Sequence, residues 1–507
     1  MVALEETWLA SGLPVAALMD KVGVAMASWL LDRPDLLADG VLVLVGPGHN
    51  GGDGLVVARE LMQAGIPVQI WCPLPLRQPL TRDHHRHIRW LGVPERLESP
   101  DPSSPALWVE ALFGLGQSRP LPPALADLLQ ARQRDQPGRL VSLDLPAGLD
   151  GDSGKPLAGG AAVAVATLTV GLIKQGLVQD QALDHVGALQ RIDPGIPKQL
   201  LQALGDRPTL RVLGSDLQTL PRPTFPRAAT KYQRGRLLVL AGSARYPGAG
   251  LLALLGAQAS GAGSVKAAVP AVVADDLWSI LPELVLAGSL PSNVRGGLDW
   301  NDWLRGQDLQ RLDALLVGPG LGTCERCWDA NAAPLQHFDG LLVLDADAIN
   351  QLAASQTGTA WLRNRSGPTW LTPHAGEFQR LFPEFGLDQP IEAARRAAAS
   401  CGVFVLLKGA HSLVATPEGD VHQLISGDAR AARTGLGDVL AGFAAGWGAR
   451  AVAAQDRSAF ASTLTAAALL HAEAARCCEG GSTARQVARR LASLVHDDDH
   501  DIAPAHV

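Results

Sequence analysis

The run Val41-Leu42-Val43-Leu44-Val45-Gly46-Pro47-Gly48-His49-Asn50-Gly51-Gly52-Asp53-Gly54-Leu55-Val56-Val57-Ala58-Arg59 decides the fold of the first part of this chain. A β-branched stretch stops at a glycine-rich turn, and a helical pattern over 55–64 follows. At the end of a parallel strand, such a turn presents backbone N–H groups at a helix N-terminus, where anionic groups bind. Five glycines keep the backbone bare, while His49, Asn50 and Asp53 place a ring nitrogen and side-chain oxygens among them. The Lys-Ser/Thr pair of a P-loop is missing, and the spacing is not G-x-G-x-x-G.

Outward from this turn, apolar runs at 41–45, 67–71, 107–112, 140–143 and 161–170 alternate with amphipathic segments such as 123–132. That alternation predicts parallel strands joined by helical crossovers. Residues 8–31 have helical periodicity and are expected to pack on the sheet. The pattern weakens among Pro208, Pro221, Pro223 and Pro226, then restarts at Arg236. Further strand-like runs fall at 264–269, 314–317, 340–344, 370–371 and 403–407, and Ala-rich helical stretches at 431–450 and 458–476. The expectation is two different α/β domains, 1–212 and 228–495, joined by a linker over 213–227.

The totals agree. A chain of 507 residues is too long for one core. A net charge of −7 argues against nucleic acid as the main partner. The start, Met-Val-Ala-Leu-Glu-Glu, lacks the basic region of a secretory leader. The longest apolar stretch, 158–173, is shorter than a bilayer requires and reads as buried strand, so no membrane association and a cytoplasmic setting are expected. Six cysteines in so long a chain suggest a reducing compartment. Cys324-x-x-Cys327 has no second pair and reads as thiols, and Cys477-Cys478 as inert. Asp83-His84-His85-Arg86-His87 reads as a solvated helix face. The tail His496-Asp-Asp-Asp-His500 reads as a solvated end that could hold a metal weakly.

Acids stand at three predicted strand ends: Asp53 after the first, Glu110 in Glu110-Ala-Leu-Phe-Gly-Leu-Gly116, and Asp144 in Asp144-Leu-Pro-Ala-Gly-Leu-Asp150. Each can cap a turn; together they can hold a cation or move protons. In this order, and followed by Gly171-Leu-Ile-Lys174-Gln-Gly176, they resemble the YjeF N-terminal family of NAD(P)HX epimerases over roughly residues 7–200. The resemblance implies a Rossmann-like domain that inverts the hydroxyl-bearing C6 of hydrated nicotinamide dinucleotides, NADHX and NADPHX. It implies Asp144 as acid/base. His49, Asn50, Gly51, Gly52 and Asp53 would line the dinucleotide, as would Gly114, Leu115, Gly116, Gln117, Ser118, Arg119 and Pro120. Asn50 and Glu110 would hold K⁺. Three positions depart from the family pattern: His49 stands for Asn, Glu110 for Asp, and Ala147 for Ser.

The second half carries Gly318-Pro-Gly-Leu-Gly322, Asp345-Ala-Asp347, Thr372-Pro-His374-Ala-Gly-Glu377, Lys408-Gly-Ala-His-Ser412 and Thr434-Gly-Leu-Gly-Asp438. In the last, glycines open a helix whose amides can bind phosphate oxygens, and Asp438 can take a proton from an attacking hydroxyl. Read alone, it is equally a glycine-rich helix start with an early acidic cap. The set resembles the YjeF C-terminal family, a branch of the ribokinase-like superfamily, over roughly 228–475. The resemblance implies nucleotide-dependent dehydration of S-NAD(P)HX. Asp438 would be base and substrate contact, with Ala249, Gly322 and His374 also on the hydrate. Lys408, Gly409, Ala410, His411, Ser412 and Gly437 would contact ADP or ATP, and Mg²⁺ would neutralise the phosphates. Asp345 and Asp347 could also serve the metal. Leu436, His411 and Ser412 differ from the residues common there.

The reading is a bifunctional repair enzyme with NAD(P)HX and an adenine nucleotide as partners, and a homo-oligomer is possible. Two rivals remain open: a ribokinase-like small-molecule kinase, and an active dehydratase beside a catalytically weak dinucleotide-binding module.

Overall fold

The structure is a computed structural model that describes residues 2–203, 210–212, 216–217, 219–220, 222–425, 432–456, 459–478 and 480–497. It divides into two compact units, Met1–Gly205 and Asp206–Val507.

The first unit holds strands β1 (Val41–Val45), β2 (Val68–Trp71), β3 (Glu95–Arg96), β4 (Leu107–Ala111), β5 (Leu140–Leu143), β6 (Ala166–Val170) and β7 (Ala188–Ile192). They form one parallel sheet in the order β3-β2-β1-β4-β5-β6-β7. β1 is buried along its whole length because helices cover both faces. Val41, Val43 and Val45 enter a core with Met26, Leu30, Leu55 and Leu61. Leu42 and Leu44 enter another with Trp108, Leu125 and Leu129. This is the period-two alternation of a strand buried on both sides.

The second unit holds β8 (Leu210–Val212), β9 (Arg236–Leu240), β10 (Ser264–Pro270), β11 (Val285–Leu290), β12 (Ala314–Val317), β13 (Leu341–Leu344), β14 (Thr369–Leu371), β15 (Phe404–Leu407), β16 (Leu413–Ala415) and β17 (Val421–Leu424). Their order is β11-β10-β9-β12-β13-β14-β15-β16-β17-β8. β16 runs antiparallel to both neighbours; all other pairs are parallel. In both sheets the chain first winds one way from a central strand and then the other. The reversals fall between β1 and β4 and between β9 and β12. A crevice opens at such a point, outside the carboxyl ends of the strands.

Several expectations need correction. The first domain was expected to reach 212, but Leu210–Val212 pairs with β17 and belongs to the second sheet. Residues 213–215, 218 and 221 of the expected linker lie outside the described residues, as do Ala431 and 498–507 of the tail. The helix after β1 starts at His49, not Leu55, so the glycines form its first turns. Only 166–170 of the run 161–170 is strand; Ala162 instead donates to the loop carbonyl of Ala147, and Ala164 to the carbonyl of His185 in the short helix Leu183–Val186. Cys324 and Cys327, read as thiols, are joined as a disulfide. Arg326, at φ +63°, turns the intervening backbone so that the two side chains meet. Helix Pro79–Trp90 exists, but His84 and His85 are not fully on its solvated face. Thr81 and Ile88 are buried, and the ring of His85 turns in with them. Among the described residues, no helix is long and apolar enough to cross a membrane.

In the second unit, helices Pro247–Ala259 and Leu436–Ala453 cross at glycine contacts. A Cβ on Gly442 would overlap the Ala253 carbonyl, and one on Gly256 the Val439 carbonyl. Neither obstacle is a side chain that can swing away. Gly442→Ala should therefore destabilise this unit by about 1–3 kcal/mol despite its gain in helix propensity. Urea unfolding followed by tryptophan fluorescence checks this; an unchanged or raised midpoint would show that the crossing is loose.

Candidate functional site

In the first unit the turns after β1, β4 and β5 meet. A Cβ on Gly46 would overlap the Leu112 carbonyl, and one on Gly51 the Gly46 carbonyl. Glycine at both positions lets the start of helix His49–Gln63 sit directly against the β4 turn. Asn50 is buried there, and its Nδ2 donates to the carbonyls of Phe113 (3.0 Å) and Leu143 (3.1 Å). Its Oδ1 is buried without a hydrogen-bond partner among the described residues. A Cβ on Gly114 would lie 3.0 Å from Asp144 Oδ2, which places that bare backbone against the carboxylate.

A cavity of about 440 Å³ opens over this junction. Of the residues singled out from sequence, His49, Asn50, Asp53, Gly114, Leu115, Gly116, Gln117 and Asp144 line it. Gly51 and Gly52 are buried behind it, where Gly52 packs on Met19. Ser118 lines a neighbouring cavity of about 580 Å³ with Asp150 and Asp152, while Arg119 and Pro120 are exposed and line neither. Gln117 spends its whole amide on the β5 loop. Its Nε2 donates to the Pro146 and Leu149 carbonyls (2.9 Å each), and its Oε1 accepts from Gly148 N (2.8 Å).

Asp144 sits at φ +64°, a conformation that costs a non-glycine residue about 1–2 kcal/mol. Its N–H donates to the Leu168 carbonyl, and its carboxylate accepts from Lys174 Nζ and, at 3.3 Å, from Val170 N. Lys174 also donates to Thr169 Oγ1 (3.1 Å) and the Val170 carbonyl (2.9 Å). Sequence reading quoted Lys174 but gave it no task; its position two residues before Gly176, in the same segment, was the available signal. Glu5, Leu9 and Leu18, from the N-terminal helices, also line the cavity and were missed, because helical periodicity does not say which loop a helix covers. Burial, then the charges of Asp144 and Glu5, hold the Asp53 carboxyl well above the usual range.

Glu110 does not line the cavity. It is fully buried under the turns, Oε1 accepting from Leu112 N (2.8 Å) and Oε2 from Ala147 N (3.0 Å). Burial raises its pKa to about 7 against the pull of those amides. The extra methylene relative to aspartate is used to reach both turns.

In the second unit the strand ends converge likewise. Gly318, at φ +143°, lies so close to Asp345 that a Cβ would overlap the Asp345 carbonyl. Asp345 is buried after β13; its Oδ1 accepts from Lys408 Nζ (2.6 Å) and Thr372 Oγ1 (2.8 Å). Lys408 follows β15, and its Nζ lies 3.5 Å from where a Cβ on Gly437 would stand. That brings the lysine to the first turn of helix Leu436–Ala453, where Asp438 sits. Burial, then Asp345, pushes the Asp438 pKa up to about 7, while Lys408 pulls it back. Ala249 packs on Gly320, and Gly322 N donates to Asp347 Oδ2 (2.7 Å). The Gly409 and Ser412 ends of the turn after β15 are tied through the Ser412 hydroxyl, at 3.3 and 3.1 Å, and this turn with Ala410 and His411 follows Lys408 directly.

His374 caps helix Ala375–Leu381. Its Nδ1 accepts from Gly376 N (2.9 Å), and Glu377 Oε2 accepts from His374 N (2.9 Å). That assigns the ring proton to Nε2, which lies 3.1 Å from Glu377 Oε1. The imidazole is more than half exposed, so the cap holds it in one orientation without hiding it. His471, not singled out from sequence, is half-buried, its ring nitrogen Nε2 inside: desolvation lowers its pKa to about 4, and it bonds the Leu436 backbone.

A profile of the YjeF-related protein N-terminus matches residues 15–176, and one of NAD(P)H-hydrate dehydratase matches residues 237–493. A bifunctional NAD(P)H-hydrate repair enzyme of Synechocystis is 40% identical over 485 residues, spanning 92% of this chain and 88% of that protein. Its counterpart in Gloeobacter violaceus is 41% identical over 445 residues, 87% and 85% of the two chains. An ADP/ATP-dependent NAD(P)H-hydrate dehydratase from Bacillus subtilis, co-crystallised with ATP/Mg²⁺, is 25% identical. It covers 56% of this chain and 96% of its own, with a TM-score of 0.45. With two such profiles in tandem and near-full-length relatives at this identity, the chain belongs to the family of bifunctional NAD(P)H-hydrate repair enzymes.

Proposed function

We propose that the first unit interconverts R- and S-NAD(P)HX, and that the second dehydrates the S epimer to NAD(P)H with ADP or ATP, in the cytoplasm. The observation that carries this is the pairing, at each crevice, of a lysine–aspartate ion pair with a second acid whose pKa burial raises. Perturbed acids beside an ion pair in a crevice mark each as a place for proton transfer.

At the first site Asp144 takes the C6 hydroxyl proton as the hemiaminal C6–N1 bond opens, and ring closure on the other face returns it. Lys174 holds the Asp144 carboxylate in place through their ion pair. The buried Asn50 Oδ1, without a partner among the described residues, is a fitting oxygen ligand for K⁺, while Glu110 ties the β4 and β5 turns together. Bound there, the ion would offset negative charge beside Asp144.

At the second site Asp438 takes the hydroxyl proton as the oxygen attacks the terminal phosphorus of the nucleotide. The P–O bond to the nucleotide breaks. The new C6–O–phosphate bond then breaks as the ring nitrogen donates its lone pair, and loss of the C5 proton completes the double bond. Lys408 and the amides around Gly437 would receive phosphate oxygens. Mg²⁺ bound with the nucleotide would neutralise phosphate charge, with Asp345 and Asp347 as the acids nearest to serve it. The kinase reading is disfavoured by the first unit, which has no task in it.

Three outcomes test this reading. Asp438→Asn should lower dehydration of S-NADHX by at least about 100-fold while leaving R/S interconversion intact; loss of both would point to misfolding. An acid with a raised pKa is a base only above that pKa. Dehydratase kcat/KM should therefore rise tenfold per pH unit below about 7 and level above it. Replacing Asp345 by Asn, which removes a like charge, should move the break to lower pH; a break that stays put would remove Asp345 from the account. Asn50→Ala should abolish any stimulation of epimerisation by K⁺, read from NADH recovered from the R epimer in the presence of excess dehydratase. Stimulation that persists would place the ion elsewhere.

A further inference from the structure

Cys72, His85 and Glu95 lie outside both sites and come from three elements. Cys72 follows β2, His85 belongs to helix Pro79–Trp90, and Glu95 opens β3. β2 and β3 are parallel with Ile70 opposite Glu95. Side chains two apart on a strand share a face, so Cys72 and Glu95 stand on one side of the sheet edge. The helix covers that side. Thr81, His85 and Ile88 fall at helical spacing, the outer two fully buried and the His85 side chain 20% exposed. The sulfur, an imidazole nitrogen and a carboxylate oxygen all lie within 4.8 Å of one another. His85 Nε2 is 3.0 Å from Glu95 Oε1, while Arg89 engages the other oxygen, Oε2, at 3.5 Å.

Thiolate, imidazole and carboxylate are the donors that tetrahedral zinc takes, at bonds of about 2.0–2.3 Å, which set neighbouring donors roughly 3.3–3.8 Å apart. The three groups need only small side-chain shifts to reach that spacing. We propose that Cys72, His85 and Glu95 bind one Zn²⁺-type cation, with a water in the fourth position. The thiol proton leaves to solvent as the Zn–S bond forms. The ion clips the helix to the two edge strands. That helix begins at the epimerase cavity, where Gln78 lines the wall and Thr81 Oγ1 donates to the Gly48 carbonyl (2.9 Å). The proposed role is therefore to hold one wall of the cavity. Among the described residues a second cluster of this kind, Asp299 with Cys324 and Cys327, has its sulfurs joined to each other.

The test uses the full chain, stripped with a chelator and titrated with Co²⁺ and then Zn²⁺. One Co²⁺ per chain should bind with the near-ultraviolet charge-transfer band of a cobalt–thiolate bond, and Zn²⁺ should displace it. Cys72→Ser should lose the band, and His85→Gln and Glu95→Gln should weaken binding by at least about tenfold. Cys324→Ser should bind as before. Zn²⁺ should also raise the unfolding temperature of the parent and not of His85→Gln. If Cys72→Ser fails to fold, the His85 and Glu95 variants decide. Absence of the band in the parent, or its full retention in folded His85→Gln and Glu95→Gln, would overturn the site.

Discussion

At the carboxyl edge of each sheet two backbone turns touch with no room for a Cβ between them. Gly46 meets the Leu112 carbonyl in one unit, and Gly318 meets the Asp345 carbonyl in the other. Both candidate active sites hang on these approaches. They bring the end of one strand within reach of the side chains on the next, across the point where the sheet order reverses. Once they are made, Asn50 can bond both the β4 turn and the β5 end, and Lys408 can reach Asp345 from a strand two places away in the sheet.

The two sites solve an electrostatic problem alike. A buried carboxylate alone is costly, so each has a lysine that neutralises one aspartate. That leaves a second acid, Asp53 or Asp438, facing low dielectric and a negative neighbour. Burial and that neighbour raise the second acid's pKa, and the lysine lowers it only in part. Glu110 belongs to neither pair. Its two oxygens each take an amide, one from the β4 turn and one from the β5 turn, so it works as a buried tie between loops.

Much of this was legible in the residues. Long apolar runs gave the central strands, because a strand covered on both faces has no polar period to hide it. The order of acids and glycines gave the sites. Short edge strands were not legible: Glu95–Arg96 is two polar residues, and most of Ala188–Ile192 is exposed, so neither carries an apolar pattern. Glycines misled at His49–Gly54, where they serve close packing inside a helix rather than a turn. Side-chain commitments were least visible. Nothing in sequence shows that Gln117 is consumed by the β5 loop, that His374 caps its own helix, or that His85 turns inward. Each depends on what a distant segment places opposite it.

Each unit buries its own core on both faces of its own sheet, so neither sheet lacks a covering layer that the other must supply. The consequence is one of dosage. Two self-sufficient catalysts on one polypeptide are synthesised in equal numbers at every level of expression. The supply of S epimer then scales with the capacity to consume it, with no need to balance two separate messages.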